Sequence, residues 1–459
     1  MQRLRKRKNA NLNSILAFVL AFIQVAVVCP HAAFGQSPAP PSNVSLSLTD
    51  AVDLALKNNL QSVIAEEGMA QAKGEKGITL SALLPNISGA AYQASRTANL
   101  AAMGLPVDKL PGLPTFVGPF DVFDARFQMV QSVFSLASIR RYQAGSSGVA
   151  LARVQKQLAI QQVSAATSVA YLAVLESEQS VDAAQSNVQL AERLLRLAAN
   201  QRQAGIAAGI DVARAETRLA NEQVRLAQAQ TNLDTARLEL LRIVGGHPLS
   251  SWVTLSDKMR QAPEPDRDAD GAVKQALTDR AEVAIAEQQL RISELQRKAA
   301  VADWMPSVSV FGDYGSSGLK PNDVNFPTRS IGVRIDVPIF NGGRTRSEIQ
   351  IAASRERESD ARLRDVRAAV EKDVRQALQN LRTRETQVRA AQSAVSLATR
   401  ELALAQDRFT NGVADNIEVI NAQTALANAR LVLVSSLAQF NVARLNLVSA
   451  LGHVEDFRL

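Results

Sequence analysis

The sequence predicts a mainly α-helical protein that also contributes β-strands to a membrane barrel, built from one unit that occurs twice. Three features predict this fold class: an internal repeat along the whole chain, long proline-free stretches with a heptad pattern, and short segments in which polar and apolar residues alternate. The composition agrees, since 46% of the residues are hydrophobic but only 4% are aromatic. Such a mixture suits long helices packed through small side chains better than compact aromatic cores.

The repeat is visible as two matching registers. Residues 51–56 (AVDLAL) match residues 272–277 (AVKQAL) at an offset of 221 residues, and further along Asp211 aligns with Glu418 at an offset of 207. The second register continues without a gap to Gly245 and Gly452. Such self-similarity indicates two copies of one structural unit, the first longer by the 14 residues that separate the two offsets. The extra length falls mainly in the Gly/Pro-rich stretch 95–124.

The N-terminus is typical of an export signal. A basic segment is followed by an apolar run over residues 15–28 and by Ala33-Phe34-Gly35, which resembles a cleavage site before Gln36. An N-terminal anchor is the alternative, although the run is short for a membrane span. Lipidation of Cys29 is disfavoured by the bulky Val28 before it. We therefore predict a signal peptide over residues 1–35.

Prolines separate the long helices from the rest of each copy. No proline occurs between residues 140 and 246 or between 342 and 459, as long helices require. Apolar residues recur at every seventh position, as in Val174, Val181 and Val188, and a strict heptad repeat predicts paired, left-handed supercoiled helices. The outbound helix, about residues 139–203, would be about 95 Å long at 1.5 Å per residue. A solvated coiled-coil rod is the simpler alternative, and it would fit an arginine-rich face formed by Arg355, Arg362, Arg375, Arg382 and Arg389.

Alternating segments between the helices argue against a plain rod. Ile331, Val333 and Ile335 alternate with Gly332 and Arg334, and two further segments follow the same pattern. Segments of 9 to 11 residues with one apolar and one polar face are typical of tilted membrane strands. We predict one strand hairpin per copy, residues 86–95 with 125–134 and residues 307–314 with 330–340. Because four strands cannot close a barrel and open edges are excluded from lipid, several chains must share one barrel. Aromatic residues at the membrane interface are predicted among Tyr92, Trp304, Tyr314, Phe116, Phe120 and Phe123, with loop packing as the alternative for the three phenylalanines.

The predicted organisation follows from these patterns. The first repeat covers residues 36–246, with a strand hairpin at about 86–134 and a helical hairpin at about 139–244. A linker over residues 247–271 joins it to the second repeat, residues 272–453, with hairpins at about 307–340 and 344–451. Residues 454–459 form a C-terminal tail.

Charge and composition exclude several function classes. The net charge of +7 contains five bases from the predicted signal, and removing these from the total of 51 leaves 46 against 44 acids. A basic nucleic-acid-binding groove is therefore not expected. No cysteine remains after the signal, which excludes thiol catalysis and thiolate metal sites. Asp211, Asp415, Glu418 and His247 are the polar residues most suited to chemistry, but their spacing matches no nucleophile or metal site. We therefore predict neither an enzyme nor a cofactor or metal site.

Taken in order and in duplicate, these motifs resemble the TolC family of outer-membrane channel proteins. The resemblance covers about residues 45–453. It is carried by LTDAVDLAL at 48–56, by Leu84-Pro85 and Met305-Pro306 before the strands, by VPIFNGG at 337–343, and by Gly412 with Glu418-Val419 at the helical turn. It implies a homotrimer with one 12-stranded barrel in outer-membrane lipid, a periplasmic α-barrel, and an equatorial region around the linker. A periplasmic adaptor protein and an inner-membrane pump of RND or ABC type are the implied partners.

The resemblance also implies a site at the periplasmic tip. Gly205, Ile206, Gly412 and Val413 match the turns where the adaptor docks. Glu418 matches an acid that narrows the closed entrance, while Asn421 stands where the family has a second acid. Asp415, Asp211 and Arg214 are further constriction candidates, with the alternative that Glu418 and Asp211 are only first-turn acids stabilised by the helix dipole.

The implied function is an exit channel for small molecules such as drugs or metabolites. A channel for type I protein secretion is the alternative within the same family. A periplasmic adaptor, which also has helical hairpins, is disfavoured because the duplicated strand hairpins have no place in such a protein.

Overall fold

The structure is a computed structural model that describes residues 43–104, 112, 114–205, 208–246, 249, 252–261, 268–411, 413 and 416–459. The predicted signal peptide, including Cys29, lies outside these residues. The long helices are α3 (Leu136–Gln203), α4 (Gly209–Val244), α7 (Arg344–Thr410) and α8 (Asn416–Leu451). Shorter helices are α1 (Leu48–Asn58), α2 (Leu60–Ser81), α5 (Ala269–Asp279) and α6 (Ala281–Ala302). The strands are β1 (Asn43–Leu46), β2 (Asn86–Asn99), β3 (Phe116–Phe134), β4 (Trp252–Leu255), β5 (Ser307–Gly318) and β6 (Phe326–Asp336).

The duplicated architecture is confirmed. Each copy contains two short helices, an antiparallel strand hairpin and a long helical hairpin, in that order. The two strand hairpins join through β3 and β5 into one antiparallel sheet with the order β2-β3-β5-β6. At 68 and 67 residues, α3 and α7 are each about 100 Å long. The protein is therefore mainly helical, with a four-stranded sheet at the far end of its long helices.

The strand hairpins differ in extent from the sequence expectation. In the first hairpin Asn99 pairs with Phe116, so the strands occupy much of the stretch 95–124 that was expected to be a loop. Phe116, Phe120 and Phe123 accordingly lie in β3 and not in a loop. In the second hairpin β6 ends at Asp336 and not at Phe340, because Pro338 lacks the N–H that a strand ladder needs.

Heptad positions form the helical core. Val174, Val374 and Val388 are fully buried, and alanines fill the spaces between the larger side chains. The same packing explains why α3 and α8 are long and apolar enough to cross a membrane by length and composition alone, since about half of each apolar window is buried against other parts of the chain. A window buried in this way is typical of a core helix.

A small second sheet packs against the middle of the long helices. β1 and β4 pair in parallel, with Leu46 beside Leu255. The Tyr171 hydroxyl lies 3.0 Å from the Leu46 carbonyl and is fully buried. The C-terminal segment also packs here, since residues Val454–Asp456 form a 3₁₀ helix and Phe457 is buried under the Arg444 guanidinium. Val454 and Phe457 of the predicted C-terminal tail are thus buried against the helices.

Candidate channel wall and helical tip

The four-stranded sheet has one apolar and one polar face. On the apolar face Phe127 lies between Gly89 and Tyr314 in the strand register, and Ile331 pairs with Gly312. These side chains have nothing to cover them in a single chain, and Ile331 is 85% exposed. Tyr92 pairs with Asp124 and therefore lies on the opposite, polar face, whereas Tyr314 lies on the apolar face. The reason is the two-residue period of the strand, which places Tyr92 out of phase with Ile87.

The polar face carries a network of ions and hydroxyls that spans three strands. Arg126 Nε donates to Asp124 Oδ1 at 2.6 Å, and Arg126 Nη1 lies 3.3 Å from Asp313 Oδ2. The hydroxyl of Ser317 donates to Asp124 at 2.5 Å, and Ser330 donates to Asp313. Asp124 and Arg126 are separated from Asp313 by almost 190 residues, so the sequence pattern indicated a polar face but not these partners.

A second feature of the polar face is an aromatic ring stacked over glycine. A Cβ atom at Gly332 would lie 2.6 Å from the Phe311 ring, so only glycine leaves room for this packing. The exposed Arg334 guanidinium lies 5.3 Å from the centroid of the same ring, within the range of a cation–π contact. The arrangement holds an exposed cation in place on the polar face.

The outer strands β2 and β6 each pair on one side only within the described chain. Their other edges present peptide N–H and C=O groups without partners in the sheet. Such edges are unstable in a lipid bilayer unless another strand pairs with them.

The opposite end of the molecule is formed by the two helical turns. At the first turn Gly205 has φ +76°, the left-handed conformation that ends a helix and favours glycine. At the second turn Val413 is 70% exposed, and its N–H donates to the Arg408 carbonyl at 3.0 Å. Ile206, Gly412 and Asp415 lie outside the described residues.

The two aligned acids have different surroundings. The Asp211 carboxylate accepts a hydrogen bond from the Ala208 N–H at 3.1 Å and lies 3.7 Å from Arg214, with 14% of its side chain exposed. Asp211 is the third residue of α4, and its bond back to the N–H of the N-cap residue Ala208 stabilises the start of the helix, in agreement with the helix-dipole interpretation for this residue. Glu418 is 45% exposed and pairs with Arg408, with Nε–Oε2 at 3.2 Å. Asn421 is exposed one turn further along α8.

Two buried polar groups near this end were not predicted. Gln423 is 3% exposed, and within the part of the chain that the structure describes neither its amide nitrogen nor its amide oxygen has a hydrogen-bond partner. Glu222 is 1% exposed and pairs with Arg218 at 2.7 Å, while its Oε2 has no hydrogen-bond partner among the described residues. Burial lowers the pKa of the Arg218 guanidinium. The heptad pattern does not show which polar residues are buried, because their burial depends on how the neighbouring helices pack.

An amphipathic sheet with two open edges, joined to two helical hairpins about 100 Å long, defines the class of outer-membrane exit channels. A sequence profile of the family described as "Outer membrane efflux protein" matches residues 51–246 and 272–453. The chain therefore belongs to this family, and the resemblance inferred from its motifs is confirmed.

Individual relatives agree with the family assignment. The chain is 24% identical to Outer membrane protein TolC of Escherichia coli over 72% of this chain and 70% of the relative. It is 21% identical to Alkaline protease secretion protein AprF of Pseudomonas aeruginosa over 84% and 80%. Among solved structures, the Campylobacter jejuni CmeC outer membrane channel superposes with a TM-score of 0.75 at 19% identity, covering 93% of this chain and 94% of that one.

Proposed function

We propose that this protein is the outer-membrane exit channel of a tripartite efflux system, passing small molecules from an inner-membrane pump to the exterior. The observation that carries the proposal is the four-stranded sheet, whose apolar face is exposed and whose two edges are open. Such a sheet is stable in lipid only as part of a closed barrel. The family assignment supports the same role, which needs no catalytic residue.

The complete channel is a homotrimer in this proposal. In a ring of three copies, β6 of one chain pairs with β2 of the next, which satisfies both open edges and gives a barrel of twelve strands. The polar face with Arg126 and Arg334 then lines the lumen, and the face with Phe127 and Ile331 contacts lipid. The long helices extend into the periplasm, with the sheet formed by β1 and β4 at their equator.

The tip of the helical hairpins is the proposed entrance. A periplasmic adaptor docks at the turns around Gly205, Ile206, Gly412 and Val413 and connects the channel to an RND-type or ABC-type pump. Glu418 lines the constriction, with Asp415 and Asn421 close to it in sequence. Asp211 and Arg214 occupy the equivalent positions of the first hairpin, where the capping role of Asp211 supports a structural contribution.

A second candidate is the exit channel of a protein secretion system. The match to a protein named for alkaline protease secretion favours it, since that relative is covered over most of its length. The two candidates share the channel and differ in the pump and its cargo.

Deletion of the gene in its own host tests the proposal. Small-molecule efflux predicts at least a fourfold increase in sensitivity to lipophilic drugs and dyes, restored by the wild-type gene, with the protein extracted from outer membranes as a trimer in detergent. Loss of a secreted protein without a change in drug sensitivity would favour the secretion channel. A monomer that stays soluble without detergent would contradict both.

A further inference from the structure

The two ion-pairing groups at the second helical turn come from different helices. Arg408 lies in the last turn of α7 and Glu418 in the first turn of α8. Arg408 Nε is 3.2 Å from Glu418 Oε2, and Arg408 Nη2 donates to Oε1 at 3.3 Å. The guanidinium thus contacts both carboxylate oxygens, the two-point geometry that distinguishes arginine from lysine.

Each partner is also stabilised by its own helix. The C-terminal end of a helix favours a cation and the N-terminal end favours an anion. The bond from the Val413 N–H to the Arg408 carbonyl further fixes the backbone from which Arg408 projects. Glu418 therefore keeps its place at the N-terminal end of α8 when Arg408 is replaced by a neutral residue.

The pair is half exposed and lies at the proposed entrance. The exposed side-chain fractions are 54% for Arg408 and 45% for Glu418, so both charges face the aqueous surface of the tip. In the first hairpin only 14% of the Asp211 side chain is exposed, which leaves Glu418 as the more accessible of the two aligned acids.

We propose that Arg408 is a specificity-determining residue of the entrance, acting as the counter-ion of Glu418. The inference rests on the proposed function, in which three copies of Glu418 converge on the constriction. With Arg408 in place each carboxylate is compensated inside its own chain, so the ring contributes no net charge. The entrance then selects cations weakly, although it contains a ring of acids.

Single-channel recordings of the detergent-purified trimer in planar lipid bilayers test this role, with hexamminecobalt(III) as the blocking cation. We expect Arg408→Gln to increase cation selectivity and to lower the half-blocking concentration by about tenfold, because three small contributions add at one constriction. Glu418→Gln should raise the half-blocking concentration. The double variant Arg408→Gln/Glu418→Gln should return to about the wild-type half-blocking concentration, because removing both members of each pair again leaves the ring without net charge.

Arg400→Gln is the matched control, since it removes the same charge two helical turns away on α7. If Arg408→Gln changes block no more than this control while Glu418→Gln relieves block, the counter-ion role is wrong and the placement of Glu418 stands. If Glu418→Gln has no effect either, Glu418 does not line the entrance and the inference fails with that placement. A trimer that gives no conductance in any form would contradict the proposed function itself.

Discussion

Tyr171 and Asp257 form a part-buried hydrogen bond that holds the sheet of β1 and β4 against the long helix α3. The tyrosine hydroxyl donates to Asp257 Oδ2 at 2.8 Å, and the same oxygen accepts the Leu48 N–H at 2.8 Å. One carboxylate thus joins the middle of α3, the start of α1 and the segment that follows β4. Burial raises the pKa of the Tyr171 hydroxyl, which keeps it protonated as a donor.

Removing this hydroxyl is expected to destabilise the protein. Tyr171→Phe should lower the free energy of unfolding by about 1–3 kcal/mol, because buried acceptors lose their donor. The thermal unfolding temperature of the detergent-solubilised protein measures the change. Tyr142→Phe is the control, since the Tyr142 ring contacts Lys76 through its face. Equal shifts for both variants would show that the Tyr171 hydroxyl has no special role.

An added charge should be tolerated on the polar face of β6 and should hinder membrane insertion on the apolar face. Ile331→Arg places a cation on the face proposed to contact lipid and should cost about 2–4 kcal/mol per chain near the middle of the bilayer. Thr328→Arg, three residues earlier on the polar face, should insert normally. The amount of trimer in purified outer membranes measures the difference. Normal insertion of Ile331→Arg together with loss of Thr328→Arg would invert the assignment of the faces.

Gln423 is expected to weaken the helical tip. Its amide is buried and has no hydrogen-bond partner in the described ranges, so replacement by an apolar side chain of similar size removes a desolvation cost. Gln423→Leu should raise the free energy of unfolding by about 1–3 kcal/mol. Asn428→Leu, an exposed position on the same helix, should not stabilise. A lower unfolding temperature for Gln423→Leu would mean that the amide has a partner in the assembled channel.

Glu176 should make stability depend on pH. Burial raises the pKa of its carboxyl, so the folded protein binds this proton more tightly than the unfolded chain does. The stability that the protonated Glu176 carboxyl contributes is therefore present at low pH. It is lost as the pH rises through the pKa that this carboxyl has in the folded protein. Glu176→Gln should stabilise the protein more at pH 7 than at pH 4 in thermal unfolding. A difference that is the same at both pH values would contradict the expected burial effect.

The position of the helices followed closely from the sequence. Proline-free stretches and heptads predicted a first long helix from residue 139 to 203, and the structure begins it at Leu136 and ends it at Gln203. The strands were less well predicted because their ends depend on pairing. Asn99 and Phe116 are strand residues only because they lie opposite each other, and the sequence between them was also compatible with a loop.

The candidate site was likewise predicted only in part from the sequence. Alignment of the two repeats placed Glu418 in the first turn of a returning helix, and the structure agrees. Its partner Arg408 was not predicted, because the alignment compares the two copies with each other and not the two arms of one hairpin. Arg126 and Asp313 lie close together only because the two strand hairpins join through β3 and β5 into one sheet.

The sequence by itself determined the class of protein. Helix periodicity, strand alternation and proline placement are local patterns, and their repetition in two copies was enough to define long helical hairpins, a shared sheet and the family. Only the tertiary structure decided which polar groups are paired, buried or exposed. Such pairing depends on distances between segments far apart in the chain, as for Tyr171 with Asp257. It also depends on packing, which buries Gln423 without a partner among the residues that the structure describes and places Glu418 beside Arg408.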